Sequence, residues 1–324
     1  MTTGSFADTL SSNPDLFAGI LPEVYFSKYL SLPSSPARPP SLRGVHEFRH
    51  CTMHAGALAH TLGSAVVRMG NSIAVCGITA YVVDSDGDDD DGVAGGLFTN
   101  VDALGRTGPP TPELMSMSEW MVATARSVKL YDREQLRVAG TAQQWLTLQA
   151  QIQLLGSSQQ GQQQDGYDVA WAALIAGLRA TRLPRAVVAD DEESRTADFG
   201  TEPEIKFDRA QASRLVLNYA DDSLPWCVNF GVWQRRRQDR GDDDDDDDDD
   251  NELVLADLEG RVEQASVDGR ISIITTANDK TIESISVAAG KTTITKRHVQ
   301  KCIELARARA GELNQILGQV VKEI

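Results

Sequence analysis

The sequence predicts an α+β fold with mixed sheets, in which two halves, each running from strands to a helix, duplicate one another. Three observations support this prediction. Segments that alternate apolar and polar residues recur in both halves, tight turns join neighbouring segments, and an apolar helical segment ends each half. Because strands joined by tight turns pair antiparallel, a doubly wound parallel sheet is not expected.

The first half begins with helical spacing over residues 21–30 and continues through Pro33–Gly44, where four prolines predict an extended segment. Gly70-Asn71 predicts a tight hairpin turn, because both residues tolerate positive φ. A helix is predicted over Glu113–Val128, and a buried helix over Asp168–Ala180. The predicted strands are His50–Leu58, Ser64–Met69, Ser72–Val83 and Trp145–Leu155.

The second half is predicted to end in a long helix from about Thr295, a suitable N-cap, to Ile324. For the whole chain we expect a leader and surface strap over residues 1–44, followed by one domain over 45–324. Acidic loop insertions are expected at 84–96 and 238–251. The predicted strands of this half are Arg185–Val188, Leu215–Leu217, Cys227–Trp233, Glu252–Leu258, Ile271–Thr276 and Ser284–Ala288.

Negative charge is concentrated in two runs. The formal net charge is −16, and nine consecutive aspartates at 242–250 with six more between 84 and 91 account for all but one of those charges. The remainder of the chain is therefore nearly neutral. This excludes a generally basic protein that coats nucleic-acid phosphates, because such binding needs many lysines and arginines. Contact with RNA through a few local arginines stays open.

Cysteine usage and hydropathy set further limits. Cys51, Cys76, Cys227 and Cys302 are widely separated and form no Cys-x-x-Cys pair, which predicts buried free thiols rather than a disulfide framework. The sequence has no stretch of about 18 apolar residues, so no membrane span is expected.

Three motifs are compatible with chemistry, but each is better explained structurally. Ala289–Thr292 resembles the end of a phosphate loop, but Ile285 stands where that loop needs glycine, so we interpret it as a turn. His50 and His54 face away from Cys51 on a strand and make a poor metal site. Carboxylates that could hold Mg²⁺ or act as acids are interpreted as a solvated turn, and no metal or cofactor is predicted; they are Asp257, Glu259, Glu263 and Asp268.

Several segments match a known family in their order and spacing. They are Glu47-Phe48-Arg49, Gly63–Ile78 with its internal Arg68-Met69-Gly70-Asn71, Arg106–Pro110, Gly166-Tyr167-Asp168, Leu183–Ala186 and Leu255–Glu259. Together they resemble the RNase PH family over roughly residues 21–324. Within that family the chain is most similar to the ribosomal RNA-processing protein 43 branch of eukaryotic exosome ring subunits.

The resemblance implies a reaction and also a departure from it. Active members use inorganic phosphate to attack the 3′-terminal phosphodiester of RNA, and an arginine in a Gly-Thr-Arg motif holds that phosphate. This chain has Asp168 at the arginine's position, so a carboxylate would repel the anion. Asp168 instead suits the positive end of its helix, as a cap. Asp268 lies near the position of the family's catalytic acid, but one acid without the phosphate site is not expected to support the reaction.

The resemblance therefore implies a non-catalytic ring subunit that helps to thread RNA to a separate 3′-to-5′ nuclease. The implied partners are other RNase PH-like subunits, RNA-binding cap subunits, the nuclease and RNA in a central channel, in the nucleus, nucleolus and cytoplasm. Arg106 and, less directly, Arg68 are candidate RNA contacts. An active phosphorolytic exoribonuclease that uses Asp268, or an RNA-binding module acting alone, are the alternatives.

Overall fold

The computed structural model describes residues 14–30, 37–39, 41–85, 94–105, 108–139, 143–156, 166–188, 205–234, 252–278, 281–290 and 292–321. The chain divides into two compact units. The first-sheet unit comprises residues 51–159, 169–221 and 315–324, and the second-sheet unit comprises residues 1–50, 160–168 and 222–314. The long insertion expected at 238–251, and residues 86–93 of the shorter one, lie outside the described residues.

The described helices are α1 Pro14–Ile20, α2 Pro22–Leu30, α3 Pro112–Ser127, α4 Tyr167–Ala180, α5 Gly260–Ser266 and α6 Lys296–Val321, with a short 3₁₀ turn at Arg133–Leu136. The described strands are β1 Cys51–Ala55, β2 Gly63–Met69, β3 Ser72–Asp84, β4 Leu97–Ala103, β5 Gln144–Leu155, β6 Arg182–Val188, β7 Ile205–Arg214, β8 Trp226–Gln234, β9 Glu252–Ala256, β10 Gly269–Thr275 and β11 Ile282–Ala289.

The first-sheet unit is built on a mixed sheet of strand order β1-β2-β3-β5-β4, in which β4 and β5 are parallel and the other pairs are antiparallel. The predicted hairpin turn joins β2 to β3, with Met69 opposite Ser72 and Gly70 at a φ of +57°. Glycine adopts that conformation without steric cost. Alternate residues of β2 and β5 are buried, as the strand period of two requires.

Two helices complete this unit. Pro112 begins α3, and the Thr111 side chain caps it by accepting from the Leu114 N–H. Each residue from Val169 to Leu178 of α4 is buried, which explains why this helix is apolar on all sides rather than amphipathic. β6 and β7 form a separate antiparallel pair.

The second-sheet unit contains an antiparallel sheet of order β11-β10-β8-β9. Cys302 and Ala306 of α6 pack on buried residues of this sheet, including Phe230 and Ile271. A second cluster joins α2, through Phe26 and Leu30, to Trp233 and Leu255. The buried Asn314 side chain accepts from the Trp226 indole N–H at 2.6 Å, so this polar group in the core is satisfied.

The α+β fold class is confirmed: helices accompany a mixed sheet in the first-sheet unit and an antiparallel sheet in the second-sheet unit. The four cysteines are free and buried, as predicted. Thr295 immediately precedes α6, and the His298 side chain accepts its backbone N–H in the manner of a capping box. None of the described helices is both long and apolar enough to cross a membrane.

Three elements differ from the sequence-based prediction. The strand predicted at Leu215–Leu217 is wrong, because Leu217 forms an isolated bridge with Tyr131 while the true strand is Ile205–Arg214, whose residues are mostly polar. Leu97–Ala103 forms β4, which pairs in parallel with β5 and was not predicted. Gly260–Ser266 is a short helix where a turn was expected.

Gly63 of β2 offers a test of packing in the first-sheet unit. A Cβ at this position would lie 2.2 Å from Thr181 Oγ1 and 2.7 Å from the Gly177 carbonyl oxygen. We therefore expect Gly63→Ala to lower the free energy of unfolding by about 1–3 kcal/mol, measured by urea denaturation. Gly318→Ala is the matched control, because no atom lies within 4 Å of its Cβ position and alanine favours the helix. Equal stability of the two variants would contradict this packing.

Candidate active site

Asp168, which we expect at the place of the family's phosphate-binding arginine, lies at the start of α4. Asp168 is in the first turn of this helix and is 7% exposed. Its negative charge suits the positive end of the helix dipole, but Asp168 lies inside the helix, one residue after Tyr167, and not at the cap position expected for it. Its main charged partner was not predicted: Arg49 Nη2 donates to Asp168 Oδ2 at 2.9 Å.

Arg49 also binds a second carboxylate, Asp257, which follows β9. The Arg49 Nε and Nη2 atoms donate to Asp257 Oδ1 at 2.9 and 2.6 Å, and the Arg49 backbone N–H donates to Oδ2 at 2.6 Å. Two donors of one guanidinium on one carboxylate form a charge-assisted fork. The Arg49 carbonyl accepts from Arg309 of α6, which fixes the arginine's backbone as well.

Two arginines of the N-terminal strap, Arg38 and Arg43, also contact Asp257 and the carboxylates near it. Arg43 donates to the Asp257 carboxylate at 3.4 Å and to Glu259 at 3.2 Å. Arg38 forms a buried ion pair with Glu263 and donates to the Asp257 carbonyl at 2.7 Å. Because Arg38 is 0% exposed, the strap is anchored in the interior at this point and does not simply cross the surface.

The backbone of Asp257 is held in an uncommon conformation. Its φ is +55°, a region that aspartate tolerates better than most residues other than glycine. In this conformation its carbonyl accepts from Arg38 and Arg43 while its carboxylate accepts from Arg49. The surrounding hydrogen bonds therefore compensate for the cost of a left-handed residue.

Electrostatics keep these groups ionised. Burial opposes the charge on Asp257, but the adjacent Arg49 guanidinium and its hydrogen bonds, with a contribution from Arg43, outweigh burial and lower the pKa of Asp257 to about 2. Burial also opposes the charge on Arg49, and the carboxylates of Asp257 and Asp168 overcome it, so the pKa of Arg49 is raised. Asp257 therefore remains negative and Arg49 remains positive at neutral pH.

The charge balance decides what this cluster can bind. We call the seven side chains Arg38, Arg43, Arg49, Asp168, Asp257, Glu259 and Glu263 the arginine–carboxylate cluster; together they carry three positive and four negative formal charges. Each arginine donates to at least one carboxylate of the cluster. An incoming phosphate would have to displace an internal counter-ion, so this cluster is a structural tie and a poor anion site.

The other candidate residues lie elsewhere. Asp268 is half-buried between α5 and β10, where its carboxylate accepts from the Gln234 N–H at 3.2 Å and its backbone N–H donates to the Val232 carbonyl. Arg68 is exposed on β2 and donates to the Gly70 carbonyl at 3.0 Å. Arg106 lies outside the described residues. No group of three His, Cys, Asp or Glu side chains within the described residues is placed to hold a metal ion.

The interpretation of Asp257, Glu259, Glu263 and Asp268 as a solvated turn is wrong for two of them. Asp257 and Glu263 are buried at 4% and 1% exposure and are paired with arginines. The sequence reasoning did not assign Arg38, Arg43 or Arg49 a place in this site. A signal was available, because Arg49 and Asp257 both fall inside the segments that resemble the family.

The low pKa of Asp257 predicts how stability depends on pH. The folded-state pKa lies below the unfolded value of about 3.9, so this group's contribution is complete above that value and is lost as pH falls towards 2. We expect wild-type protein to lose roughly 2 kcal/mol from this source, measured by urea denaturation between pH 6 and pH 2. Asp257→Asn should be less stable at neutral pH, and its stability should not show the loss between pH 6 and pH 2 that protonation of Asp257 causes in the wild type.

Glu134→Gln is the control for that measurement. Glu134 is an exposed partner of Arg137, and its removal should leave both the stability and its pH dependence nearly unchanged. If Asp257→Asn kept the wild-type pH dependence, the ion pair would not be the source of the low pKa.

Comparison with known proteins agrees with this fold. The model of the RNase PH 3′ exoribonuclease family, domain 1, matches residues 47–184. The chain is 29% identical to the Schizosaccharomyces pombe exosome complex component rrp43 over 201 residues, which cover 60% of this chain and 69% of that protein. It is 28% identical to exosome complex component Rrp42 of Methanopyrus kandleri over 156 residues, 46% of this chain and 55% of that relative. The match thus spans just over half of the archaeal protein.

A solved structure extends the comparison to nearly the full fold. A chain of the Archaeoglobus fulgidus exosome with RNA bound to the active site superposes with a TM-score of 0.62 and 16% identity, covering 93% of this chain and 99% of that chain. At this identity the superposition bears on the fold alone. The family model and the relatives add a likeness in sequence, so the chain resembles the RNase PH family in both sequence and fold.

Proposed function

We propose that this chain is a non-catalytic subunit of the RNA exosome core ring, where it supports 3′-to-5′ processing and degradation of RNA by passing it to a separate nuclease. The similarity to exosome components of fission yeast and an archaeon supports the assignment to the ring. The observation that carries the non-catalytic part is the ion pair between Asp168 and Arg49 at the start of α4.

Phosphorolysis makes demands that this arrangement does not meet. Inorganic phosphate must approach the terminal phosphodiester, and both carry negative charge, so the site must supply cations that are not already neutralised. At the start of α4 the chain supplies a carboxylate, and the neighbouring Arg49 binds two carboxylates. The attacking phosphate would be repelled by Asp168 and would find the guanidinium occupied.

The partners and setting follow from the same proposal. The chain would contact other RNase PH-like ring subunits, while RNA-binding cap subunits and a separate exoribonuclease complete the particle. RNA would pass through the central channel, with Arg106 and Arg68 as candidate contacts. In this proposal the chain acts in the nucleus and the cytoplasm. In the nucleolus it would take part in the maturation of ribosomal RNA.

One observation favours a second function, an active phosphorolytic exoribonuclease. Asp268 is an acid near the position at which the family keeps a catalytic one. Its carboxylate, however, accepts the Gln234 N–H at the end of β8, whereas the arginine–carboxylate cluster gathers around Asp257 at the end of β9. An acid placed in this way does not replace a phosphate-binding cation.

A direct assay separates the two functions. We expect the purified chain to release no nucleoside diphosphate from oligo(A) in the presence of inorganic phosphate. Asp168→Arg should not restore the reaction, and it should lower stability by about 3–5 kcal/mol because the buried Arg49 would lose one carboxylate partner and face a second guanidinium. Asp221→Arg, the same charge change beside Arg179 at the surface, is the matched control and should be nearly neutral. Phosphate-dependent diphosphate release by the wild-type chain would overturn the non-catalytic proposal.

Assembly is tested in cells. The tagged full chain should co-purify with other RNase PH-like subunits in a fixed ratio, as quantified by mass spectrometry, because a ring subunit buries a large obligate interface. An untagged strain is the control for background binding. Recovery of the chain without RNase PH-like companions would remove the support for ring membership.

A further inference from the structure

A basic pocket lies in the first-sheet unit, outside the arginine–carboxylate cluster. Its volume is about 470 Å³, within the range of about 300–1,000 Å³ that is usual for small-molecule sites. The Gly95–Gly96 loop, the end of α3 and the 3₁₀ turn form its walls. Its polar lining comes from Arg126, Lys129, Tyr131, Asp132, Arg133 and Asn218.

The charge of this pocket is opposite to that of the chain as a whole. Arg126, Lys129 and Arg133 supply three positive charges, and Asp132 supplies one negative charge. The Asp132 side chain already accepts the Glu134 N–H at the start of the 3₁₀ turn. Within the part of the chain that the structure describes, neither Arg126 nor Lys129 has an ion-pair or hydrogen-bond partner for its side chain. These cations therefore remain available to an external anion.

The third cation and the phenol are held in place. The Arg133 guanidinium lies over the Trp145 ring at 4.7 Å, and Gly95 packs so closely that a Cβ there would meet the Arg133 side chain at 2.8 Å. Burial raises the pKa of Tyr131, against the opposing charges of Arg126 and Arg133, so its hydroxyl stays protonated and can donate a hydrogen bond. Arg126, Tyr131 and Arg133 all line the same pocket.

The dipole at the C-terminal end of α3 explains only some of the cations in this pocket. Arg126 and Lys129 lie at the C-terminal end of α3, where positive charge offsets the helix dipole. Arg133 and Tyr131 come from the following segment and have no such role. Asn218 adds an amide that donates one hydrogen to the Lys129 carbonyl at 2.7 Å. The pocket is thus rich in donors, with a tyrosine ring among its walls.

We propose that the basic pocket binds a backbone phosphate of single-stranded RNA. Arginine and lysine donors match phosphate oxygens, and tyrosine provides a ring on which a base can stack. The pocket is larger than a phosphate group requires, which leaves room for the attached nucleoside. The choice of RNA over other phosphate esters rests on the proposed function, but the phosphate site itself does not.

The test measures binding of fluorescein-labelled oligo(A) to the full chain by anisotropy at low salt. The double variant Arg126→Gln/Lys129→Gln should bind at least about tenfold more weakly, because two charge-assisted contacts are lost. The slope of log affinity against log salt should become less steep by about 0.7, as expected for the loss of one single-strand phosphate contact. Arg137→Gln is the matched control, since Arg137 also lies over Trp145, at 5.7 Å, but does not line the pocket; it should change affinity less than about twofold.

Competitors identify the group that is recognised. Displacement of oligo(A) from wild-type protein by adenosine monophosphate or inorganic phosphate supports a phosphate site, and displacement by unlabelled oligo(A) alone supports a site that requires the strand. Equal displacement by a polyglutamate peptide of the same charge would overturn the RNA assignment. Unchanged binding by the double variant, or an equal loss with Arg137→Gln, would overturn the site.

The failure of this inference can be distinguished from failure of the proposed function. If the chain co-purifies with ring subunits but the double variant binds RNA like wild type, only the phosphate site is wrong. If binding depends on the pocket but the chain has no RNase PH-like companions in cells, only the ring assignment is wrong.

Discussion

The arrangement of the second-sheet unit depends on the interaction between Asp257 and three arginines that precede β1. Its carboxylate binds Arg49 and Arg43, and its carbonyl binds Arg38 and Arg43. Residues more than 200 positions apart are joined in this way. The left-handed backbone of Asp257 directs carbonyl and carboxylate to these partners, and the hydrogen bonds in turn hold the backbone. Loss of Asp257 would remove the carboxylate on which the Arg49 fork closes and leave the buried Arg49 with Asp168 alone among the described carboxylates, which is the costly way to disrupt such a cluster.

The same interaction explains why a chain that resembles the RNase PH family in fold would bind phosphate poorly at the start of α4. Arg49 is positive and lies beside the start of α4, where an anion would be expected to bind. Its charge is already neutralised by Asp168 and Asp257. Because Asp168 and Asp257 belong to the same chain as Arg49, they lose no translational entropy when they pair with it. A free phosphate does lose translational entropy on binding, so it competes at a disadvantage. This supports a role in assembly rather than in chemistry.

Local patterns predicted the elements whose stability comes from their own sequence. The Gly70-Asn71 turn, the apolar run of α4 and the long helix α6 were all predictable, because period and turn chemistry are encoded within a few residues. β4 was missed because it gains its partner through a parallel pairing with a strand more than 40 residues later. The arginine–carboxylate cluster was missed for a similar reason: Arg38, Arg49, Asp168 and Asp257 look like ordinary surface charges until the fold brings them together.

The two groups of arginines in this chain differ in whether their charge is neutralised internally. In the arginine–carboxylate cluster each guanidinium has a buried carboxylate, so the cluster stabilises the fold and offers little to a ligand. Among the described residues that line the basic pocket, one acid accompanies three cations, and that acid caps the 3₁₀ turn. A cation with a buried counter-ion must break that pair before it binds an anion, whereas a hydrated surface cation gives up only water. By this argument, RNA phosphate belongs at the basic pocket and not at the start of α4.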